Sequence, residues 1–119
     1  MINYDAIVIG SGPAGNSAAY GLKAQGKKVA VIESDLWGGT CPNRGCDPKK
    51  LLMSGVEAQK RIETLVGKGF EKTPKIIWED LMAFKRNYTD FVPQKTKAGL
   101  DGAEIDRYQG QASFIDAHQ

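Results

Sequence analysis

Glycines at positions 10, 12 and 15 constrain this chain more than any other feature. They stand in Gly10-Ser11-Gly12-Pro13-Ala14-Gly15, which fits G-x-G-x-x-G in the context the pattern requires. Ahead of it runs Tyr4-Asp5-Ala6-Ile7-Val8-Ile9, a short β-branched segment that reads as a buried central strand of a parallel sheet. Behind it, Ala14 to Gln25 is predicted to be a helix with a small-residue face. Pro13 suits its first turn, where the missing N–H has no partner in any case, and Gly26 suits its end. Lys28 to Glu33 is predicted to be a second buried strand. Strand, helix and strand fit within about 30 residues, the size of a βαβ unit.

Each glycine has a mechanical task. Gly10 permits the tight turn out of the strand, Gly12 lets the backbone approach a pyrophosphate, and Gly15 lets helix and strand pack closely. The helix N-terminus then offers N–H groups and the positive end of its dipole to phosphate. Ala19 and Gly26 extend the pattern, and Glu33 ends the second strand 18 residues after Gly15. That is close to the ~20 residues expected for an acid that accepts from ribose hydroxyls. The alternative is a glycine-rich turn that merely packs well and a solvated Glu33. With both strands, the helix and the terminal acid in place, a dinucleotide site is the reading. A carboxylate repels a 2′-phosphate, so the cofactor is expected to carry a free ribose 2′-OH, as FAD and NAD do.

The second informative stretch is Gly38-Gly39-Thr40-Cys41-Pro42-Asn43-Arg44-Gly45-Cys46-Asp47-Pro48-Lys49-Lys50. Cysteines five positions apart on a helical turn or a glycine-rich loop can come within disulfide distance. Thr40 and Asp47 are candidate helix caps, and Pro48 fits a first helical turn. A helix start together with Arg44, Lys49 and Lys50 is expected to favour a thiolate, the species that carries thiol–disulfide exchange. Two cysteines and one distant histidine, His118, make an incomplete metal site, so no metal is expected. Two unrelated buried thiols are the remaining alternative.

Bulk properties narrow the classes. With 119 residues, 41% of them apolar, the chain suits one compact domain. The net charge of +2 comes from 16 basic and 14 acidic side chains spread along the chain, which gives no footprint for nucleic acid. The early apolar run is too short for a signal sequence or a membrane span, so the protein is expected to be cytoplasmic, with no membrane partner.

Beyond the cysteines, Lys49 to Val66 and Ile76 to about Lys97 are predicted to be long helices, with Pro93 a kink or an early end in the second. Glu104 to Tyr108 and Gln111 to Ile115 are predicted to be short strands. The expected fold class is α/β: a truncated Rossmann-like FAD/NAD(P)-binding domain, three-layered around a parallel sheet. One domain over residues 1–119 divides into a βαβ unit at 1–35, a redox segment at 36–50, a helical excursion at 49–97 and terminal strands at 104–116.

G-G-T-C-x4-C-x-P-x-K, shortly after an N-terminal dinucleotide fingerprint, resembles the class I pyridine nucleotide-disulfide oxidoreductases, among them glutathione reductase, lipoamide dehydrogenase and mercuric reductase. The resemblance runs from the first strand to Phe114. It implies that the fingerprint binds FAD, with Gly10, Ser11, Gly12, Pro13, Ala14 and Gly15 at the pyrophosphate and Glu33 at the adenosine ribose. Gly39 and Thr40 would line the cofactor, and Lys49 or Lys50 would approach flavin N5, the Pro-Lys-Lys run favouring Lys49. Cys46 would be the charge-transfer thiol against the flavin and Cys41 the outer, interchange thiol. Gly110-Gln111-Ala112 looks like a G-x-A strand whose backbone at Ala112 touches the adenine. Electrons would pass from NAD(P)H, bound outside this chain, to FAD, to the Cys41–Cys46 disulfide and on to a substrate disulfide.

Pro42, Arg44 and Asp47 depart from the family pattern, which commonly has small or aliphatic residues there, and they leave the substrate open. Family members are several times longer and imply a homodimer whose C-terminal domain supplies a His–Glu pair to the partner's site. The chain is therefore expected to be a piece of such an enzyme, inactive alone, with an exposed sheet edge and with His118 a plain surface residue. The competing readings are a non-catalytic dinucleotide-binding module and an NAD-dependent dehydrogenase with incidental cysteines.

Overall fold

The computed structural model describes residues 2–116. His118, expected at the surface, lies outside them. The element order is β1 (Ala6–Ile9), α1 (Pro13–Ala24), β2 (Val29–Glu33), α2 (Thr40–Arg44), α3 (Cys46–Glu63), α4 (Trp78–Thr89), α5 (Val92–Gly102) and β3 (Asp106–Gln109). The three strands form one parallel sheet in the order β1-β2-β3, with Ala6 opposite Val29 and Ala30 opposite Asp106. Read from its far edge this is 3-2-1, half of a doubly wound sheet, and the α/β class holds.

The strand at the centre is β2, buried at Val29, Ala30 and Val31, whereas β1 lies at an edge with Ile7 and Ile9 more than half exposed. The expectation of a central β1 is corrected: among the described residues no strand pairs on its outer side. α1 packs on β1 and β2, and α5 packs on β3. The core beneath them is Ala19, Val29, Val31, Trp37, Leu100 and Ile105, with Val8, Leu22 and Ala103 packed against it.

α1 ends as its sequence requires. Gly26 takes φ +76°, its N–H reaches Lys23 O at 2.9 Å, and the Lys27 N–H reaches Leu22 O at 3.2 Å, which closes a Schellman turn. α3 and α4 form a hairpin in which Leu81 packs directly over Gly55.

Three expected boundaries move. The helix expected from Lys49 begins at Cys46, because Gly45 rather than Asp47 is its N-cap and Pro48 already lies in its first turn. The helix expected over 76–97 is two helices, broken at Asp90-Phe91. Pro93 cannot bond back to Thr89, and its ring would clash with the Thr89 carbonyl, so α4 stops there and Pro93 is taken into the first turn of α5. Only one terminal strand forms, at Asp106–Gln109; the strand expected at Gln111–Ile115 has no neighbour to pair with among the described residues. No described helix is long and apolar enough to cross a membrane.

Candidate active site

The fingerprint loop has the geometry its glycines predict. Gly10 leaves β1 at φ +96°, with its N–H on Ile32 O at 2.8 Å. A Cβ on Gly15 would lie 2.0 Å from Gly10 O, so the α1 start admits no larger residue against the turn. The N-cap of α1 is Gly12, no side chain caps the helix, and its first turn holds no acid. Its leading N–H groups are thus left for an external anion.

The redox segment docks on this loop through a second glycine. Gly39, at φ +73°, lies so close that a Cβ on it would be 2.6 Å from Gly12 Cα. The Asn43 Nδ2 donates to Gly39 O at 2.7 Å and to Trp37 O at 3.0 Å, holding the segment from inside. Asn16 Nδ2 donates to Ser11 O at 2.8 Å. The Oδ1 atoms of both asparagines are buried without a partner. Uncapped N–H groups and a backbone cradle closed to Cβ atoms fit a pyrophosphate-bearing cofactor.

Glu33 is held from within the chain. Its Oε2 accepts from Ser11 N at 2.9 Å and Ser11 Oγ at 2.7 Å, and its Oε1 accepts from Asp35 N at 2.9 Å. Burial alone would push its carboxyl up; the Ser11 hydroxyl, then the N–H groups of Ser11, Asp35 and Ser34, outweigh it and hold the carboxyl below its ordinary value. Ser11 is fully buried, so its side chain serves Glu33 and, as acceptor from Gly38 N at 2.9 Å, the redox segment. Gly110 N donates to Glu33 O at 2.8 Å, which brings the Gly110-Gln111-Ala112 stretch to the same acid. Ala112 itself is half-buried and outside any strand.

Cys41 lies in α2, and Cys46 is the first residue of α3. Gly45 joins the two helices: its N–H donates to Cys41 O at 3.2 Å, and a Cβ on it would crowd Cys41 Cα, also at 3.2 Å. Both cysteines are free thiols, and Cys46 lies near enough to be the largest influence on the Cys41 thiol. Five positions of sequence are thus folded into one sulfur pair.

The electrostatics differ from expectation. The Cys46 hydrogen bond first, then burial, then the charges of Cys46 and Asp47 push the Cys41 thiol up, against the Cys46 backbone N–H. A stabilised thiolate was expected from Arg44, Lys49 and Lys50, but Arg44 is paired with Asp35, and both lysines are exposed. Lys49 and Lys50 line an open pocket of about 430 Å³ with Met53 and Glu57. Thr40 and Asp47 cap nothing; the caps are Gly39 and Gly45, and Asp47 instead accepts from Tyr88 Oη at 2.7 Å.

Asn16, Asn43, Trp37, Gln109 and Tyr88 escaped the sequence reading. Trp37 is buried and donates from Nε1 to Gln109 Oε1, while Gln109 Nε2 donates to the carbonyls of Glu33 and Asp35. Gln109 and Tyr88 sit tens of residues from their partners.

Residues 4–117 match the pyridine nucleotide-disulphide oxidoreductase family. A glutathione reductase from Nostoc sp. is 33% identical over 117 residues, covering 98% of this chain and 26% of the relative. A soluble pyridine nucleotide transhydrogenase from Pectobacterium atrosepticum is 36% identical over 122 residues, covering 99% and 26%. An HOCl-induced flavoprotein disulfide reductase from Escherichia coli superposes with a TM-score of 0.74 at 30% identity, covering 94% of this chain and 23% of that one. The chain thus spans about a quarter of the length of the relatives it matches.

Proposed function

The chain belongs to the pyridine nucleotide-disulphide oxidoreductase family, and from that premise we propose that it is the FAD-binding, sulfur-bearing part of an enzyme that reduces a disulfide with NAD(P)H. The observation that carries this reading is the contact of Gly39 with Gly12, which brings the segment that bears Cys41 and Cys46 against the fingerprint loop.

The leading N–H groups of α1 would hold the pyrophosphate, and Glu33 the adenosine ribose. The backbone at Ala112 would meet the adenine. Gly39 and Thr40 would line the cofactor between them, with Lys49 or Lys50 beside the flavin ring. FAD, when bound, supplies the two-electron exchange between a nicotinamide and sulfur.

The remaining chemistry belongs to this chain. Two electrons and two protons open the Cys41–Cys46 disulfide to a dithiol. Cys41, once deprotonated, attacks a substrate disulfide, forming a mixed disulfide and releasing one thiol. Cys46 then attacks the Cys41 sulfur, releasing the second thiol and restoring the intrachain bond. The family resemblance supports a homodimer, with NAD(P)H bound outside this chain.

Counting thiols tests this in the full-length holoprotein. Anaerobic NAD(P)H is expected to expose two more thiols per chain, and Cys41→Ser or Cys46→Ser to abolish the gain. No gain in the unsubstituted protein would overturn the reading. That outcome, with hydride still passed between nicotinamides, would favour the activity for which the transhydrogenase relative is named.

A further inference from the structure

Asp47 follows Cys46 directly, in the first turn of α3, and its carboxylate accepts from Tyr88 Oη at 2.7 Å across 41 residues of chain. Tyr88 belongs to α4, which packs against both α2 and α3, the two helices that carry the sulfurs. Asp47, Lys50, Leu51 and Tyr88 line a shallow pocket of about 280 Å³ at this seam. Asp47 forms no ion pair among the described residues.

We propose that Asp47, fixed by the Tyr88 hydroxyl, is a positioning residue that keeps a negative charge beside the sulfur pair and so restrains Cys41 from attacking disulfides. The thiolate is the attacking species, and a nearby carboxylate disfavours a second negative charge. The titratable groups that bear on Cys41 are Cys46 and Asp47 of α3 and Tyr88 of α4; Lys50 of α3 lines the pocket of Asp47 and Tyr88, and Lys95 of α5 shares a pocket with Pro42 and Tyr88. Arg44, on the same helix as Cys41, is turned to Asp35.

The proton affinities agree with this placement. The Tyr88 hydroxyl is pushed up by its bond to Asp47 first, then by burial, then by the charges of Asp47 and Cys41. The Cys41 thiol is pushed up by Cys46 first, with Asp47 contributing. Cys41, Asp47 and Tyr88 thus act on one another as one electrostatic cluster. The consequence is a Cys41 that attacks slowly until Asp47 is neutralised or turned away.

The inference rests on the reading of Cys41 as the outer thiol, and its test is separable from that reading. The rate at which iodoacetamide alkylates Cys41 is measured against pH in the chemically reduced full chain, by peptide mass spectrometry. Asp47→Asn is expected to move the midpoint of the profile down by about half a pH unit or more and to speed alkylation at pH 7 about 3–10-fold. Tyr88→Phe, which keeps the charge but lets the carboxylate turn into water, is expected to move it the same way by less. An Asp47→Asn midpoint within about 0.2 pH unit of the unsubstituted protein, whatever its thermal stability, overturns the inference. Cysteines that never form a disulfide would sink the redox reading instead, whatever the profile.

Discussion

Ser11 gives both its backbone N–H and its hydroxyl to a single oxygen of Glu33, at 2.9 and 2.7 Å. The same hydroxyl accepts from Gly38 N, so one fully buried serine ties the fingerprint loop to the acid at the end of β2 and to the segment leading into the cysteines.

The Glu33 carboxyl sits below its ordinary value, so its contribution to stability is present above the unfolded carboxyl pKa, about 4.3, and is lost as pH falls through the lower folded value. Glu33→Gln is expected to cost about 1–2 kcal/mol at pH 7 and to flatten the fall in stability below pH ~4.3. Urea unfolding at several pH values reads both. Ser11→Ala is expected to move stability in the same direction and to weaken binding of FAD.

The two glycines of α1 make a matched pair. Gly15→Ala drives a methyl to 2.0 Å from Gly10 O and is expected to cost about 3 kcal/mol. Gly21→Ala meets nothing within 4 Å on an exposed helix face and is expected to stabilise by about 0.5–1 kcal/mol. Denaturant midpoints of the two variants should move in opposite directions.

Trp37 and Trp78 are the only tryptophans in the chain, 1% and 60% exposed. Acrylamide is expected to quench Trp78 and spare Trp37. Trp78→Phe should leave a blue-shifted, poorly quenched emission, and Trp37→Phe a red-shifted, readily quenched one. Two equally quenched residues would contradict the buried Trp37–Gln109 contact.

The first βαβ unit was legible because its constraints are local: each fingerprint glycine answers to a turn or a neighbour within a few residues. The fold-back that brings Cys46 near Cys41 is local in the same way, Gly45 donating to Cys41 O within one turn. The α4–α5 break was hidden because the apolar stripe through Tyr88, Phe91 and Val92 keeps helical spacing across it, while Pro93 is acceptable inside a first turn. The strand expected at 111–115 was overread because a short segment of sequence does not supply a partner strand. Asn43, Gln109 and Tyr88 were invisible, since what matters is the carbonyl or carboxylate they reach, and only the fold decides that. The sign of the Cys41 shift was missed because it is set first by Cys46 and then with Asp47, whose nearness to Cys41 only the fold decides.

The central claim is that Cys41 and Cys46 are one reversible couple. Peptide mapping by mass spectrometry, after mild oxidation and again after reduction, tests it directly. The expected result is a single intrachain Cys41–Cys46 link, two hydrogens lighter, that opens and closes completely over repeated cycles. Two thiols that remain separately alkylatable after oxidation, or that link only between chains, would contradict it.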